Sequence, residues 1–479
     1  MRWKLLFAIG LSLGPVVAQA QIPEQAGAQD NEPEPPPKPP KITSVRYKED
    51  YSYLRDPENR SGAWWEPLKY IPIAADGEFY LTLGDEIRLR FELLVHNRFE
   101  LGAKPVDPYF RYRQLPYGDL HLGEHARTFL QFMITEAIRS PETKTAFIDQ
   151  SGVEVLQGFV EGTETIAGDH RLLLRLGRWS MSYGGQRLVS TGPNVRTSFE
   201  GALARWQHDR WRLDTFFVWP IQPRFGSFND DIDRSRRLWS AYLIRQVPEF
   251  GRGSTVELYY FGFANDAAHF EEGSGRERRQ TLGIRFAGGQ PGGWQWDLET
   301  MQQFGTFASG DIHAWTVASA HRVGFEHLPL QPQFELRANA ISGDARAGDG
   351  RLGTFNPLFT TAEYFGDVAA IGPANLLNFR AIATANLGAG VAVNGVVEPY
   401  WRQRAGDALY DPGLNVIRPS DDSRVHFVGT QLEAQVAWVV SRNVSTRLEY
   451  TTIVPDGFIA ETGPALSIQY ALLEFDFKY

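Results

Sequence analysis

Leu172 to Gly201 reads LLLRLGRWSMSYGGQRLVSTGPNVRTSFEG, and this stretch decides what kind of fold the chain adopts. Leu172, Leu174 and Leu176 take one side while Leu173, Arg175 and Gly177 take the other, the two-residue period of a strand. Gly184-Gly185 and the turn residues Gly192-Pro193-Asn194 then break the run into a loop, and Phe199 re-enters extended structure. Arg175, Arg178, Arg187 and Arg196 all fall within this single strand–loop–strand unit. Arginine stays charged when buried and offers paired, planar donors to carboxylate or phosphate. The unit therefore presents guanidinium groups to whatever passes or binds.

The same alternation runs through the chain from Phe79 onward. Ile87, Leu89, Phe91 and Leu93 face one way, and Glu86, Arg88, Arg90 and Glu92 the other. Val428, Thr430, Leu432, Ala434, Val436 and Trp438 oppose Gln431, Glu433 and Gln435, and Val444, Leu448 and Tyr450 oppose Arg447 and Glu449. A soluble sandwich would bury the apolar face, whereas a transmembrane barrel turns it to lipid and the charged face to a wet lumen. The connections separate these readings. Short turns fall at Gly123-Glu124, Gly168-Asp169, His208-Asp209, 248–253, 288–293, 329–332, Gly388-Ala389 and Arg442-Asn443. Longer polar loops lie between them, at 179–198, 220–236, 264–278, 343–372 and 404–424. Alternating tight inner turns and long outer loops are what membrane barrels require. The count predicts an all-β antiparallel barrel of 18 strands, with 16 as the alternative, and both termini in the periplasm.

Composition agrees with strands as the membrane spans. Beyond the N-terminus no segment approaches 18 consecutive apolar residues, while Gly reaches 46 and aromatics 13%. There is no cysteine, so neither a disulfide framework nor a thiolate metal site is available. Arg2 and Lys4, the apolar run Leu5 to Val17 and Ala18-Gln19-Ala20 read as a cleaved signal peptide over residues 1–20. Residues 21–75 read as a Pro-rich linker followed by a periplasmic strap or partial plug carrying Tyr47, Tyr51, Tyr53, Trp64 and Trp65. Residues 76–479 are the expected barrel. Trp206, Trp211, Trp219, Trp239, Trp294, Trp296 and Trp438 sit beside expected strand ends, as aromatic girdles do.

The formal net charge is −9, and removal of Arg2 and Lys4 leaves 46 basic against 57 acidic residues, a net of −11. Such a chain has no bulk attraction for nucleic acid. Over the whole chain the basic set is nonetheless 8 Lys against 40 Arg. No P-loop, H-E-x-x-H, G-x-S-x-G or dinucleotide fingerprint is present, and neither His313 nor His426 has a nucleophile at a useful spacing. The chain is expected to be no enzyme and to need no cofactor or metal. Gly343 to Gly350 has carboxylates and glycines suited to Ca²⁺, but Arg346 and Arg351 favour a solvated turn.

Several separated motifs carry a family resemblance. Gly177-Arg178-Trp179, Tyr183-Gly184-Gly185-Gln186-Arg187, Gly192-Pro193-Asn194-Val195-Arg196 and Ser198-Phe199-Glu200-Gly201 resemble the alginate export family of Gram-negative outer-membrane barrels. So do Gly310 to Ala318, Gly350 to Phe359 and Gly372 to Leu376, in the same order. Trp179 stands where the family has Gln, and Tyr479 ends the chain where Phe or Trp is usual. The resemblance implies passive passage of an anionic, uronate-type polysaccharide or acidic sugar. It also implies contact with outer-membrane lipid, recognition of the C-terminal strand by the barrel assembly machinery, and periplasmic partners of a secretion system. A general diffusion porin for small anionic nutrients and a binding or adhesion barrel are the alternatives.

Candidate path residues follow from the polar faces. Arg88, Arg90, Arg127, Arg175 and Arg205 lie there, as do Arg285, Arg337, Arg402 and Arg447, beside Glu86, Glu92, Glu257, Glu299, Glu335 and Glu433. Part of this set is expected to form cross-strand ion pairs that stiffen a hydrated lumen. The excess of arginine near an inward loop would make an anion-selective path. Arg175, Arg178, Arg187 and Arg196, with Tyr183, Gly184, Gly185, Pro193 and Asn194, mark the expected constriction.

Overall fold

A computed structural model describes residues 39–74, 77–101, 104–139, 146–346 and 348–479. The expected signal peptide and the linker before residue 39 lie outside the described residues. Eighteen antiparallel strands close on themselves. β1 is Phe79–Gly84 and Glu86–Val95, interrupted at Asp85, and β2 is Val106–Gln114 and Tyr117–Leu122. There follow β3 (Ala126–Ile138), β4 (Gly152–Ile166), β5 (His170–Trp179), β6 (Phe199–His208), β7 (Trp211–Gln222) and β8 (Arg236–Gln246). The next six are β9 (Thr255–Phe270), β10 (Gly273–Gly289), β11 (Trp294–Phe307), β12 (Gly310–Gly324), β13 (Gln333–Ile341) and β14 (Leu376–Gly388). β15 (Val391–Arg402), β16 (Phe427–Val439), β17 (Val444–Pro455) and β18 (Ile468–Lys478) complete the barrel. β18 pairs with β1, setting Phe475 opposite Leu89 and Glu474 opposite Arg90, so no sheet edge is left open to lipid.

The alternation read from sequence sets the two faces. Phe91, Leu93, Leu174, Leu176, Val436 and Trp438 are exposed on the outside, while Glu86, Arg90, Glu92, Arg175 and Gln435 are buried inside. Strand parity turns all seven tryptophans expected in girdles outward, and Phe217, Trp219 and Trp239 pack as one group on that surface. Val428 departs from its expected face. A register shift beside Trp401 carries it into an apolar cluster with Phe458 and Ile459, where it is fully buried.

Eight short connections sit at one end, as the turn chemistry predicts. The other end is less uniform. Residues 264–278 are not a long loop: β9 and β10 run on to Phe270 and Gly273 and turn in two residues, and β11 and β12 also meet in two. Cross-strand Arg278 on Asp266 (3.0 Å) and the edge-on pair Phe270 and Phe307 hold these extensions together. The remaining outer loops are long, and two of them fold into the barrel.

Residues 39–74 form a strap across the short-turn mouth. Arg46 donates to the carbonyl of Tyr479 (2.6 Å), and Lys69 donates to the Leu83 carbonyl and to the Tyr117 hydroxyl, both at 2.9 Å. Tyr47 enters the barrel and packs edge-on against Phe159, with the Arg175 guanidinium 4.1 Å above its ring.

Candidate functional site

The loop between β5 and β6 starts and ends on fully buried side chains, Trp179 and Phe199, which share the inward parity of Arg175 and Leu203. The chain between them is therefore launched into the lumen. Tyr183 donates to Asp214 of β7 at 2.9 Å. Gly184 has φ +55°, and a Cβ there would lie 2.8 Å from the Tyr242 hydroxyl; a Cβ on Gly185 would meet Arg187 at 2.3 Å. The paired glycines thus let the backbone lie against the wall. Asn194 donates to the Asp149 carbonyl (2.7 Å) and accepts from Arg88 (2.9 Å), while the Pro193 carbonyl accepts from Arg113. The loop motif consists of the residues that seat the loop.

A second loop, 342–375 between β13 and β14, meets the first inside the barrel. Ser190 donates its amide to the Phe359 carbonyl (2.9 Å), and the Phe359 amide donates to Leu188 (2.8 Å). Each loop is pinned to a different wall. Arg187 donates to Glu299 and to Asp297 of β11 (3.2 Å), and to the Tyr364 hydroxyl of the second loop (2.9 Å). Asp367 lies between Arg90 of β1 and Arg447 of β17, accepting from Arg447 at 2.7 and 3.0 Å. The two loops thus bond to each other and to the inner wall inside the barrel.

Most of the expected path arginines are engaged by carboxylates. Arg127 donates to Asp119 (2.7 Å), Arg175 to Glu161 (2.9 Å), and Arg285 to Glu257 (2.6 Å) and Asp297 (2.8 Å). Arg205 donates to Asp214 through two bonds of 2.8 Å, and Arg337 pairs with Glu335. Arg196 donates to Thr191 (2.6 Å) and lies 3.9 Å from Glu86, and Arg88 lies 4.0 Å from Glu474. Two members of the set leave the lumen. The strand continues past Gly177, so Arg178 takes the outward parity of Leu174 and Leu176 and pairs with Glu200 at 3.1 Å. Arg402 ends β15 beneath the outer loops, donating to the carbonyls of Ala405, Asp407, Ser423 and Val425, 3.6 Å over the Phe458 ring.

Other residues belong to the site without having been singled out. Arg212 and Asp214 share the inward face of β7, and Arg322 that of β12, so strand parity alone points to them. Asp367 carries no local signal. Charge is uneven around the inner wall. Arg205 and Arg212 share one carboxylate, Asp214, and Arg322 and Arg337 share one, Glu335. Between these stations Arg187 and Arg285 meet three carboxylates, Glu257, Asp297 and Glu299, and beyond the second station Arg380 meets two, Glu398 and Glu433. Basic and acidic stations therefore alternate.

Comparison with known proteins places this geometry. The alginate export family profile matches residues 79–470. The fold is similar to that of a BenF-like porin from Pseudomonas fluorescens Pf-5, at TM-score 0.56 and 10% identity over 83% of this chain and 98% of that one. It is also similar to Pseudomonas aeruginosa OccK2 (OpdF) in complex with glucuronate (TM-score 0.53, 11% identity, 83% and 97% covered). Pseudomonas aeruginosa OpdK with vanillate gives TM-score 0.52 and 10% identity over 83% and 98%. No curated protein sequence matches the chain. A closed barrel with outward apolar faces, porin neighbours and a family match across nearly its whole length lead to one conclusion: the chain belongs to the alginate export family and is an outer-membrane β-barrel of the porin and exporter kind.

Proposed function

We infer that this barrel passes anionic, uronate-type sugars passively, with guanidinium groups replacing water around each substrate carboxylate. The observation that carries this reading is the pair of stations where inward arginines outnumber carboxylates, Arg205 and Arg212 on Asp214 and Arg322 and Arg337 on Glu335. A guanidinium sharing its carboxylate keeps N–H donors for a passing anion, and several weak stations in series let a charged chain move on. The resemblance to a porin solved with glucuronate supports the substrate class. The acidic stations at Arg187 and Arg380 serve to pin loops and wall. The terminal strand ending at Tyr479 would be the element that the assembly machinery reads.

Reversal potentials across planar bilayers in a salt gradient test the reading. Anions should pass more readily than cations despite the net charge, and Arg212→Gln and Arg337→Gln should each move the ratio toward cations. Equal permeability in the parent protein would reduce these arginines to structural pairing. The two inward loops and the strap narrow the lumen, which favours a second reading in which small acids rather than a polymer pass. Passage of glucuronate without polyuronate would select it.

A further inference from the structure

The outward face of β8 to β11 changes character toward the long-loop end. Strand register sets Trp239, Gly262, Gln280 and Phe304 in one cross-strand row. Trp239 donates its indole N–H to the Tyr260 hydroxyl (3.2 Å), and that hydroxyl donates to Gln280. Aromatic rings with satisfied polar tips on a lipid-facing wall mark the boundary between hydrocarbon and headgroups. The next row on the same face, two residues further along each strand, is Arg237, Ala264, Arg278 and Thr306. Two residues of strand advance it by about 7 Å. Arg237 shares the outward parity of Trp239, and Arg278 that of the exposed Leu282 and Ile284. Both arginines therefore stand at headgroup level on the outside of the barrel.

Arg237 and Arg278 are two strand spacings apart, about 10 Å between backbones, with only the methyl of Ala264 between them. Arg276 continues the face outward, its side chain 71% exposed. β9 bulges between Asn265 and Ala268, and Asp266 of that bulge accepts from Arg278 at 3.0 Å and lies 3.5 Å from Arg276. Among the described residues, Arg237 makes no side-chain hydrogen bond or ion pair. Asp311, opposite Thr306, ends the basic patch. Three guanidinium groups thus stand around one carboxylate on a surface that faces neither lumen nor core. An arginine at the edge of the hydrocarbon is costly unless an anion meets it.

Just inside the aromatic row the wall is hollowed. Leu213, Leu243, Leu258, Leu282, Ile284 and Val317 line an outward depression of about 840 Å³. We propose that Arg237, Arg276 and Arg278 bind a phosphate group on a lipid of the outer leaflet, whose acyl chain lies in this hollow. Planar guanidinium groups match phosphate oxygens through paired donors, and basic clusters beside a membrane gather anionic headgroups. Charge alone would suit free phosphate equally; the apolar hollow directly beneath selects a lipid.

Native mass spectrometry of the whole barrel in detergent, titrated with diphosphorylated lipid A, tests this. The lipid should be retained, monophosphorylated lipid A should bind more weakly, and millimolar inorganic phosphate should not displace either. Arg237→Gln should weaken binding about tenfold, the loss of one charge-assisted hydrogen bond, and Arg237→Lys should fall between. Asp266→Asn should tighten binding, because it removes the one carboxylate paired with these arginines. Folding of each variant is checked by heat-modifiable migration, and ion selectivity across a bilayer should stay at the parent value. Unchanged affinity in the Arg237→Gln/Arg278→Gln double variant, or equal retention of an uncharged diacylglycerol, would overturn the surface. Displacement by inorganic phosphate would make it a free-anion site and refute the lipid, and altered ion selectivity would place these side chains in the lumen.

Discussion

Arg187→Gln tests whether the first inward loop is held by its arginine or merely rests in the lumen. Arg187 reaches Asp297, Glu299 and Tyr364, and its side chain is almost entirely buried with both carboxylates. Removing one partner of a buried ion pair costs about 3–5 kcal/mol, mostly through the charge left behind. Here the abandoned groups keep other partners: Asp297 retains Arg285 at 2.8 Å, and Glu299 accepts from Tyr259 at 2.6 Å. The loss should therefore fall to about 2–3 kcal/mol, which shifts the balance between seated and released loop roughly 30- to 150-fold. Single-channel recordings should change from a steady low conductance to bursts of a higher one. Arg187→Lys should sit between, since it keeps the charge and loses the fork. Insertion should be normal in both variants, because the loop is no part of the strand ladder. A Gln variant with steady parental conductance and impaired uronate passage would refute the pin and make Arg187 a substrate contact.

Asp367→Asn removes the carboxylate between Arg90 and Arg447; Arg90 keeps Glu474 (3.2 Å) and Glu92 (3.7 Å), and Arg447 keeps Glu474 (3.2 Å) and Glu449 (3.6 Å). Conductance should rise and the reversal potential should move toward anions; a shift toward cations would contradict the charge assignment. At the outer loops, burial first, with Asp407 and Glu272 nearby, pushes the Asp344 carboxyl up to about 6 from 3.8. A raised carboxyl contributes stability that is fully present below 3.8 and is lost as pH rises through about 6. Hydrogen-exchange protection of the Gly353 amide, which donates to Asp344 at 2.7 Å, should therefore fall between pH 4 and 7. Asp344→Asn should flatten that profile.

Much of the barrel is legible because its code is local. A strand turns successive side chains to opposite faces, so Ile87 and Leu89 against Arg88 and Arg90 state lipid and lumen with no knowledge of any partner strand. Short turns such as Gly168-Asp169 and Gly388-Ala389 likewise mark the inner ends, and eight short turns imply the eighteen strands that close. Arg178 shows where this runs out. Its face depends on whether the strand stops at Gly177 or continues to Trp179, and the pairing with Glu200 across β6 decides it. The fate of each inward arginine is likewise a matter of register and loop entry. Asp214 gathers Arg205 from the neighbouring strand, and Asp367 arrives between Arg90 and Arg447 from 277 and 80 residues away along the chain. Within strands whose ends are fixed, sequence alone determined which side chains face the lumen, since that follows from backbone geometry. Which of them remain free to meet a substrate was decided only by the closed fold, because a charge is neutralised by what stands within a few ångströms in space, whatever its distance along the chain.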